Sequence, residues 1–293
     1  MINDLYRTMF FVPGNSPSKM AKAEIYGCDC VIFDLEDAVS IYEKDAARDL
    51  IRNYLSTTRP NCRVGIRVNG NKTPFYEEDV RTMVPLKPDF LRLPNSETAE
   101  DIQKLDALIA ECEKAAGLEI GTVKIVATIE TSLGVYNAFQ IASASPRVIA
   151  IGLGAEDFRT DMSMSRTEDG REILFARNFI SLAAHAAKVR PIDYVFSNFK
   201  NEAGFIEDVK LGKTLGFTGK SVIHPSQIPL VHACYDPSEK EIEHAKKVLE
   251  VYEDALSKAS GVIALEGKMI DMPMVTRAKN VLAYAKAAGK DVD

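Results

Sequence analysis

Eight short runs rich in β-branched and aromatic residues recur along this 293-residue chain, separated by longer segments of helical period. They are TMFFVPG (8–14), CVIFDLED (30–37), RVGIRVNG (63–70), DFLRLPNS (89–96), VKIVATIET (123–131), VIAIGLGAED (148–157), YVFSN (194–198) and GKSVIHPSQ (219–227). Eight strands, each followed by a helix, are the repeat of an α/β fold of the (β/α)8 or TIM barrel type. The main rival is a doubly wound open sheet. Its dinucleotide fingerprint G-x-G-x-x-G is absent, and GLGAED at Gly152 supplies only the first half. A chain of this length fills one large barrel core as a single domain.

The intervening segments carry helix signals. SPSKMAKAEIYG begins with Ser16 as a cap and Pro17 at the first helical position, and stops at Gly27. The next clear example, 96–117, has Ser96 as the predicted N-cap, acids in its first turn and Gly117 as its stop. Between 168 and 189, Ile173, Leu174, Ile180, Leu182 and Ala183 fall on or near one apolar stripe. Beyond the eighth strand come an amphipathic stretch at 239–260, the segment GVIALEGKMIDMP and a last helix at about 274–288. The expectation is a barrel over 1–235 and a C-terminal helical extension over 236–293 within the same functional unit. The extension is a candidate lid or oligomer contact.

Acids outnumber bases 42 to 36, for a net charge of −6, which argues against a nucleic-acid or anionic membrane partner. The apolar run at 9–13 is too short for a secretory signal or a membrane span. Five cysteines, odd in number and without C-x-x-C, read as reduced thiols of a cytoplasmic protein. Four scattered histidines argue against a zinc site.

Nearly every predicted strand ends in polar residues: Pro13-Gly14-Asn15, Glu36-Asp37, Arg67 with Asn69, Arg92 with Asn95, Glu130-Thr131, Glu156-Asp157, Asn198, and His224 with Gln227. In a (β/α)8 enzyme the carboxyl ends of the strands form the active-site mouth, so these residues converge. Glu130 and Asp157 each follow a run apolar enough to be buried. Two such carboxylates repel unless a cation intervenes, and all-oxygen ligation favours Mg²⁺ or Mn²⁺ over zinc. The alternative is that each forms a structural ion pair with an arginine. Arg67 and Arg92 sit in apolar strands, where a guanidinium needs a partner and suits a carboxylate bidentately. Either one instead neutralises the acids of the second strand, among which Asp34 lies deepest and has no evident partner.

RTMFFVPGN, FDLEDAV, IRVN, IET, GLGAEDF, GKSVIHPSQI and EGKMIDMP occur in this order from Arg7 to about Pro273. The ordered set resembles the citrate lyase β-subunit family, within the wider group of metal-dependent (β/α)8 aldolases and lyases. The resemblance implies that Glu130 and Asp157 are the Mg²⁺ ligands and that Arg67 grips the carboxylate of oxaloacetate. It implies that Glu36 and Asp37 act beside the metal, through its waters. Asp271 matches a tail aspartate that relatives insert into a neighbouring subunit's mouth, where it serves proton transfer; without the resemblance it reads as a helix N-cap before Pro273. Arg7, Pro13, Gly14 and Lys19 are the expected contacts of the thioester arm. His224, followed by a proline, is read first as a strand-end residue.

The implied reaction is retro-Claisen cleavage of a citryl thioester to oxaloacetate and an acetyl thioester. The alternative is a stand-alone lyase acting on malyl-, methylmalyl- or citramalyl-CoA. The implied partners are an acyl carrier protein, a transferase subunit and further copies of the chain in a trimer. The chain departs from the family pattern at Asn95, where a lysine is common, and at Asn198, where an aspartate is common.

Overall fold

The computed structural model describes residues 5–257, 264–265 and 268–292. Eight parallel strands close into a barrel in sequence order: β1 (Thr8–Pro13), β2 (Cys30–Asp34), β3 (Arg63–Arg67), β4 (Phe90–Leu93), β5 (Lys124–Ile129), β6 (Val148–Leu153), β7 (Arg190–Asp193) and β8 (Gly219–Val222). The barrel closes through β1 against β8, with Thr8 opposite Lys220. Alternate residues point inward, and Met9, Cys30, Ile32, Phe90, Val126, Ala150 and Ile192 form a buried core. Gly65 makes room in it: a Cβ there would lie 2.2 Å from the Phe90 ring.

The strands are shorter than their apolar runs because pairing stops where side chains turn into the mouth. Asp157 therefore lies not at a strand end but in the first turn of helix Ala155–Asp161. The seventh strand differs most from its prediction. It is Arg190–Asp193, with Ile192 paired to Gly152 and Gly219, while YVFSN lies beyond it. Side-chain propensity favours Tyr194–Val195–Phe196, and Pro191 argues against the preceding four residues. The Pro191 carbonyl still accepts the Thr218 N–H at 3.0 Å, so the proline keeps its acceptor role at the barrel wall.

Three helix predictions are corrected. Ser16 precedes helix Pro17–Met20 but makes no side-chain cap hydrogen bond. Ser96 is buried, and the N-cap of Ala99–Ala115 is Thr98, joined to Asp101 in a reciprocal capping box. Helix Leu174–Ala186 buries Ala176, Arg177, Ile180, Ser181, Ala183 and Ala184, leaving Leu174 and Leu182 on the exposed side. Arg177 occupies the inner face because Asp193 and Asp208 bind it there at 2.7 and 3.1 Å, which an apolar stripe cannot register.

The chain divides into two compact units, Tyr6–Cys234 and a second that contains Leu5 and the described residues from Tyr235 onward. In the second, helices Glu239–Ser257 and Met272–Ala287 pack through Ala245, Val248, Ile270, Val275 and Ala278. A two-stranded ribbon, Ala264–Leu265 with Lys268–Met269, accompanies them. Residues 258–263, together with Glu266 and Gly267 of the EGKMIDMP motif, lie outside the described residues. Among the described residues no helix is long and apolar enough to cross a membrane.

Candidate active site

A cavity of about 740 Å³ opens at the carboxyl ends of the strands. Its polar wall holds Asp34, Asp37, Arg67, Arg92, Thr128, Glu130 and Asp157. Its other side carries Phe10, Pro13, Lys19, Lys22, Tyr26, Ile223 and His224. That volume suits a small acid together with the start of a longer arm.

β2 and β3 lie side by side with Asp34 opposite Arg67. Arg67 donates from Nε and Nη2 to the two Asp34 oxygens at 2.7 and 2.6 Å, a bidentate pair. Asp34 therefore has the partner that its sequence context left open, and it is Arg67, not Arg92, that answers the second-strand acids. The other Asp34 bonds accept the Glu36 and Ala38 N–H groups and shape the loop that carries the next two acids. Lys44 ties the same loop down, donating from Nζ to the carbonyls of Leu35 and Glu36 at 2.7 and 2.6 Å. Arg67 Nη1 points onward, 3.1 Å from Asp37 Oδ2 and 2.8 Å from Glu36 Oε2. The latter contact lacks hydrogen-bond geometry, so Glu36 Oε2 is buried without a donor. Burial opposes the Arg67 charge, but the Asp34 hydrogen bonds and the surrounding acids outweigh it and hold its pKa above the usual value. Burial, only partly offset by Arg67, pushes the Glu36 carboxyl up to about 8.

Glu130 directly follows β5 and is 4% exposed. Its Oε2 accepts the Asn95 N–H at 2.7 Å. Asn95 adopts a positive φ of 49°, a conformation asparagine tolerates better than lysine, so the departure at this position has a backbone consequence. Gly154 is required on the other side, where a Cβ would stand 2.3 Å from Glu130 Oε1. Burial, with a smaller contribution from the Asp157 charge, raises the Glu130 pKa to about 7 against the Asn95 hydrogen bond and the Arg67 charge. Asp157 is raised as well, by burial and then by Asp37. The two supporting elements are joined by the Ser132 N–H, which donates to Asp161 Oδ2 at 2.7 Å. Arg159 braces the helix from behind through Glu156 and Glu172.

This donor set fits a hard divalent cation. Both carboxylates face one cavity, both are held toward the protonated form by burial, and neither has an arginine ion pair among the described residues. No cluster of three or more His, Cys, Asp or Glu side chains suited to a metal occurs among the described residues. Mg²⁺ needs only one or two protein carboxylates and takes its remaining oxygens from water and substrate.

Arg92 sits one strand over from Arg67, in register with it. Its Nε donates to Thr128 Oγ1 at 2.8 Å and Nη1 to Ser221 Oγ at 3.2 Å. The Arg67 and Arg92 guanidinium carbons lie 5.0 and 4.9 Å from the centroid of the Phe11 ring. Thr128, Ser221 and Phe11 carry no signal in the sequence beyond alternation along their strands.

The other predicted residues separate. Pro13 and Lys19 line the cavity. Gly14 does not; it packs against Asp34 O and Ile51, where a Cβ would meet both at 2.7 Å. Arg7 is corrected outright as an arm contact. It precedes β1, at the barrel end opposite the mouth, and grips Asp29 from Nε and Nη2 at 2.9 and 2.7 Å. The His224 ring stacks on Phe199 at 4.5 Å, and its Nδ1 lies 2.8 Å from Ser226 Oγ, so it is both a turn residue and a cavity wall. Asn198 is exposed and outside the cavity lining, and the true end of β7 is buried Asp193. Asp271, in the second unit, is the N-cap of Met272–Ala287, with Oδ1 accepting the Met274 N–H at 3.0 Å.

Fold and site together define a (β/α)8 enzyme whose cavity brings the carboxylates of Glu130 and Asp157 beside Arg67 and Arg92. The chain belongs to the HpcH/HpaI aldolase/citrate lyase family, whose model matches residues 7–225. Within it, the chain is 47% identical over 284 residues to the citrate lyase subunit beta of Leuconostoc mesenteroides subsp. cremoris, covering 97% of this chain and 94% of that one. A (3S)-malyl-CoA thioesterase of Cereibacter sphaeroides is more distant, 32% identical over 96% of this chain and 95% of its own. Among solved structures, protein CitE of Mycobacterium tuberculosis in complex with magnesium, acetoacetate and coenzyme A superposes with a TM-score of 0.79. It is 30% identical, with 97% of this chain and 99% of that one covered.

Proposed function

We propose that this chain is a citrate lyase β subunit that cleaves a citryl thioester into oxaloacetate and an acetyl thioester, with Glu130 and Asp157 holding Mg²⁺. The observation that carries the reading is the meeting, in one cavity, of this carboxylate pair with Arg67. Identity of 47% to a citrate lyase β subunit, against 32% to a malyl-CoA thioesterase, favours citryl over malyl-type substrates.

Arg67 orients the substrate acid through Nη1, since its other donors are held by Asp34. Mg²⁺ held by Glu130 and Asp157 would supply Lewis-acid polarisation of the substrate. One ionised carboxylate of the pair Glu36 and Asp37, both beside Arg67 Nη1, takes the single proton of the tertiary hydroxyl as the carbon–carbon bond breaks and passes it to solvent. Glu130 and Asp157 are the residues that fix Mg²⁺, with Mn²⁺ an acceptable substitute for the same oxygen set. The departing thioester enolate is protonated by Asp271 of a neighbouring copy in a homo-oligomer, expected as a trimer. Pro13, Lys19 and Lys22 flank the arm, and Phe10 meets Tyr26 edge to face at 5.9 Å behind it. That arm is carried by an acyl carrier protein or coenzyme A, and a transferase subunit supplies the mixed acid.

The test is release of keto acid by the purified chain with Mg²⁺, offered citryl-CoA and malyl-CoA in parallel. Oxaloacetate release is expected from citryl-CoA and is lost in chelator. Glu130→Ala and Asp157→Ala each lower kcat/KM by at least about 100-fold. Full activity of either variant in chelator, or preference for malyl-CoA, overturns the reading.

A further inference from the structure

Arg92 is 3% exposed, lines the cavity, and has no carboxylate within ion-pair distance among the described residues. The other deeply buried arginines do not share this condition: Arg177 binds Asp193 and Asp208, and Arg147 binds Glu113 and Asp106. Leaving a guanidinium uncompensated in a barrel interior costs free energy, so an anion is expected to complete it. Its known contacts are all neutral: Thr128, Ser221 and the Met9 sulfur at 3.7 Å. Nη2 makes no hydrogen bond to a described residue, and it faces Gly152, where even a Cβ would sit 3.4 Å away. The glycine leaves this donor edge open.

The substrate chemistry under the proposed reading supplies such an anion. A citryl thioester keeps two free carboxylates, one on the hydroxyl-bearing carbon and one on a CH₂ arm; a malyl thioester keeps only the first. Arg67 and Arg92 are register partners on adjacent strands, about 4.8 Å apart across the sheet, a spacing that a four-carbon diacid spans. We infer that Arg92 is the specificity-determining residue that binds the CH₂-carboxylate, the group by which a citryl thioester and oxaloacetate differ from a malyl thioester and glyoxylate. This rests on the proposed function for the identity of the diacid, but the geometry itself asks for a second carboxylate beside the one at Arg67. The competing role is counter-charge to Glu130, whose field favours the Arg92 cation.

The test is calorimetric binding, with magnesium present, of oxaloacetate and glyoxylate to the wild-type chain, Arg92→Met and Arg92→Lys. Magnesium affinity and thermal melting are recorded for each. Arg92→Met is expected to weaken oxaloacetate at least about 30-fold while changing glyoxylate less than about 3-fold. Arg92→Lys restores most of the preference because it keeps a charge at the site. With citryl-CoA the loss falls mainly on KM. Equal loss for both acids, unchanged selectivity, or a drop in magnesium affinity of the same size as the drop for oxaloacetate overturns the inference. If Arg92→Met does not fold, Arg92→Gln, which also removes the charge, takes its place, and a ratio of the two affinities equal to wild type in Arg92→Gln overturns the inference. Citryl-CoA cleavage by a wild-type chain whose Arg92 variants keep full diacid selectivity sinks the inference and leaves the proposed reaction standing. Arg92-dependent diacid selectivity without citryl-CoA cleavage does the reverse.

Discussion

At Glu130 and Glu36, burial holds two carboxyls near pKa values of about 7 and 8, far above the usual carboxylate range. In the unfolded chain both ionise near pH 4.5. Between there and pH 7–8 the folded state binds more protons than the unfolded state, so the metal-free protein loses stability as pH rises through that window. A cation on Glu130 and Asp157 reverses the trend, because it binds the ionised form. In chelator, melting of the wild-type chain is therefore expected to fall between pH 5 and pH 8 by several degrees more than melting of Glu130→Gln, and saturating Mg²⁺ is expected to remove most of the difference. Differential scanning calorimetry at the two pH values measures this. Equal pH slopes for the two proteins count against Glu130 as the strained group. The residue types at this site were legible in the sequence, since an acid after KIVATI or an arginine in GIRVN is costly without a partner. Which cation answers which acid was not. Asp34 with Arg67 is a pairing across strands, set by register, and Arg92 is left over only once that pairing is known.

Among the elements, the β2 loop shows how remote residues hold reactive ones. Lys44 opens helix Lys44–Thr57 and spends its ammonium on the Leu35 and Glu36 carbonyls. Lys44→Met leaves both carbonyls without that donor and is expected to lower kcat/KM roughly 10-fold, with a loss of about 1–3 kcal/mol in stability. Kinetics and denaturant unfolding of the same variant check both numbers; an unchanged kcat/KM shows that the loop keeps its shape without the strap. Helix and strand starts depart from their local signals for one reason. Capping and propensity signals are local, but Thr98 outcompetes Ser96 because the chain must first leave β4, where the Ser96 hydroxyl turns back to the Leu93 carbonyl at 3.2 Å. Strand β7 was displaced by the same kind of effect, since pairing with β6 and β8 selected Arg190–Asp193 over a run of better intrinsic propensity.

For the whole molecule, the eight-strand closure brings residues from Asp34 to His224 around one cavity. The second unit carries Asp271 as a helix N-cap with one oxygen engaged. If it serves a neighbouring copy, an Asp271→Asn chain and an Arg67→Ala chain, each nearly inactive alone, are expected to regain activity when mixed and allowed to exchange subunits. Random assembly in equal amounts yields about a quarter of sites with both residues intact. Keto-acid release from the mixture measures it, and no gain after exchange verified by native mass spectrometry excludes a shared site.

The sequence by itself determined the barrel, the mouth toward which its polar strand ends turn, and the carboxylates that face the cavity there. These follow from alternation, from strand count and from the cost of burying charge, all of which are local in the chain. Only the tertiary structure decided that Arg67 belongs to Asp34, that Gly154 clears space for Glu130, that Arg7 belongs to the far end, and that Arg92 lines the cavity with no acid paired to it among the described residues. Those facts depend on register and on closure between segments tens of residues apart, and no local pattern encodes a distance of that kind.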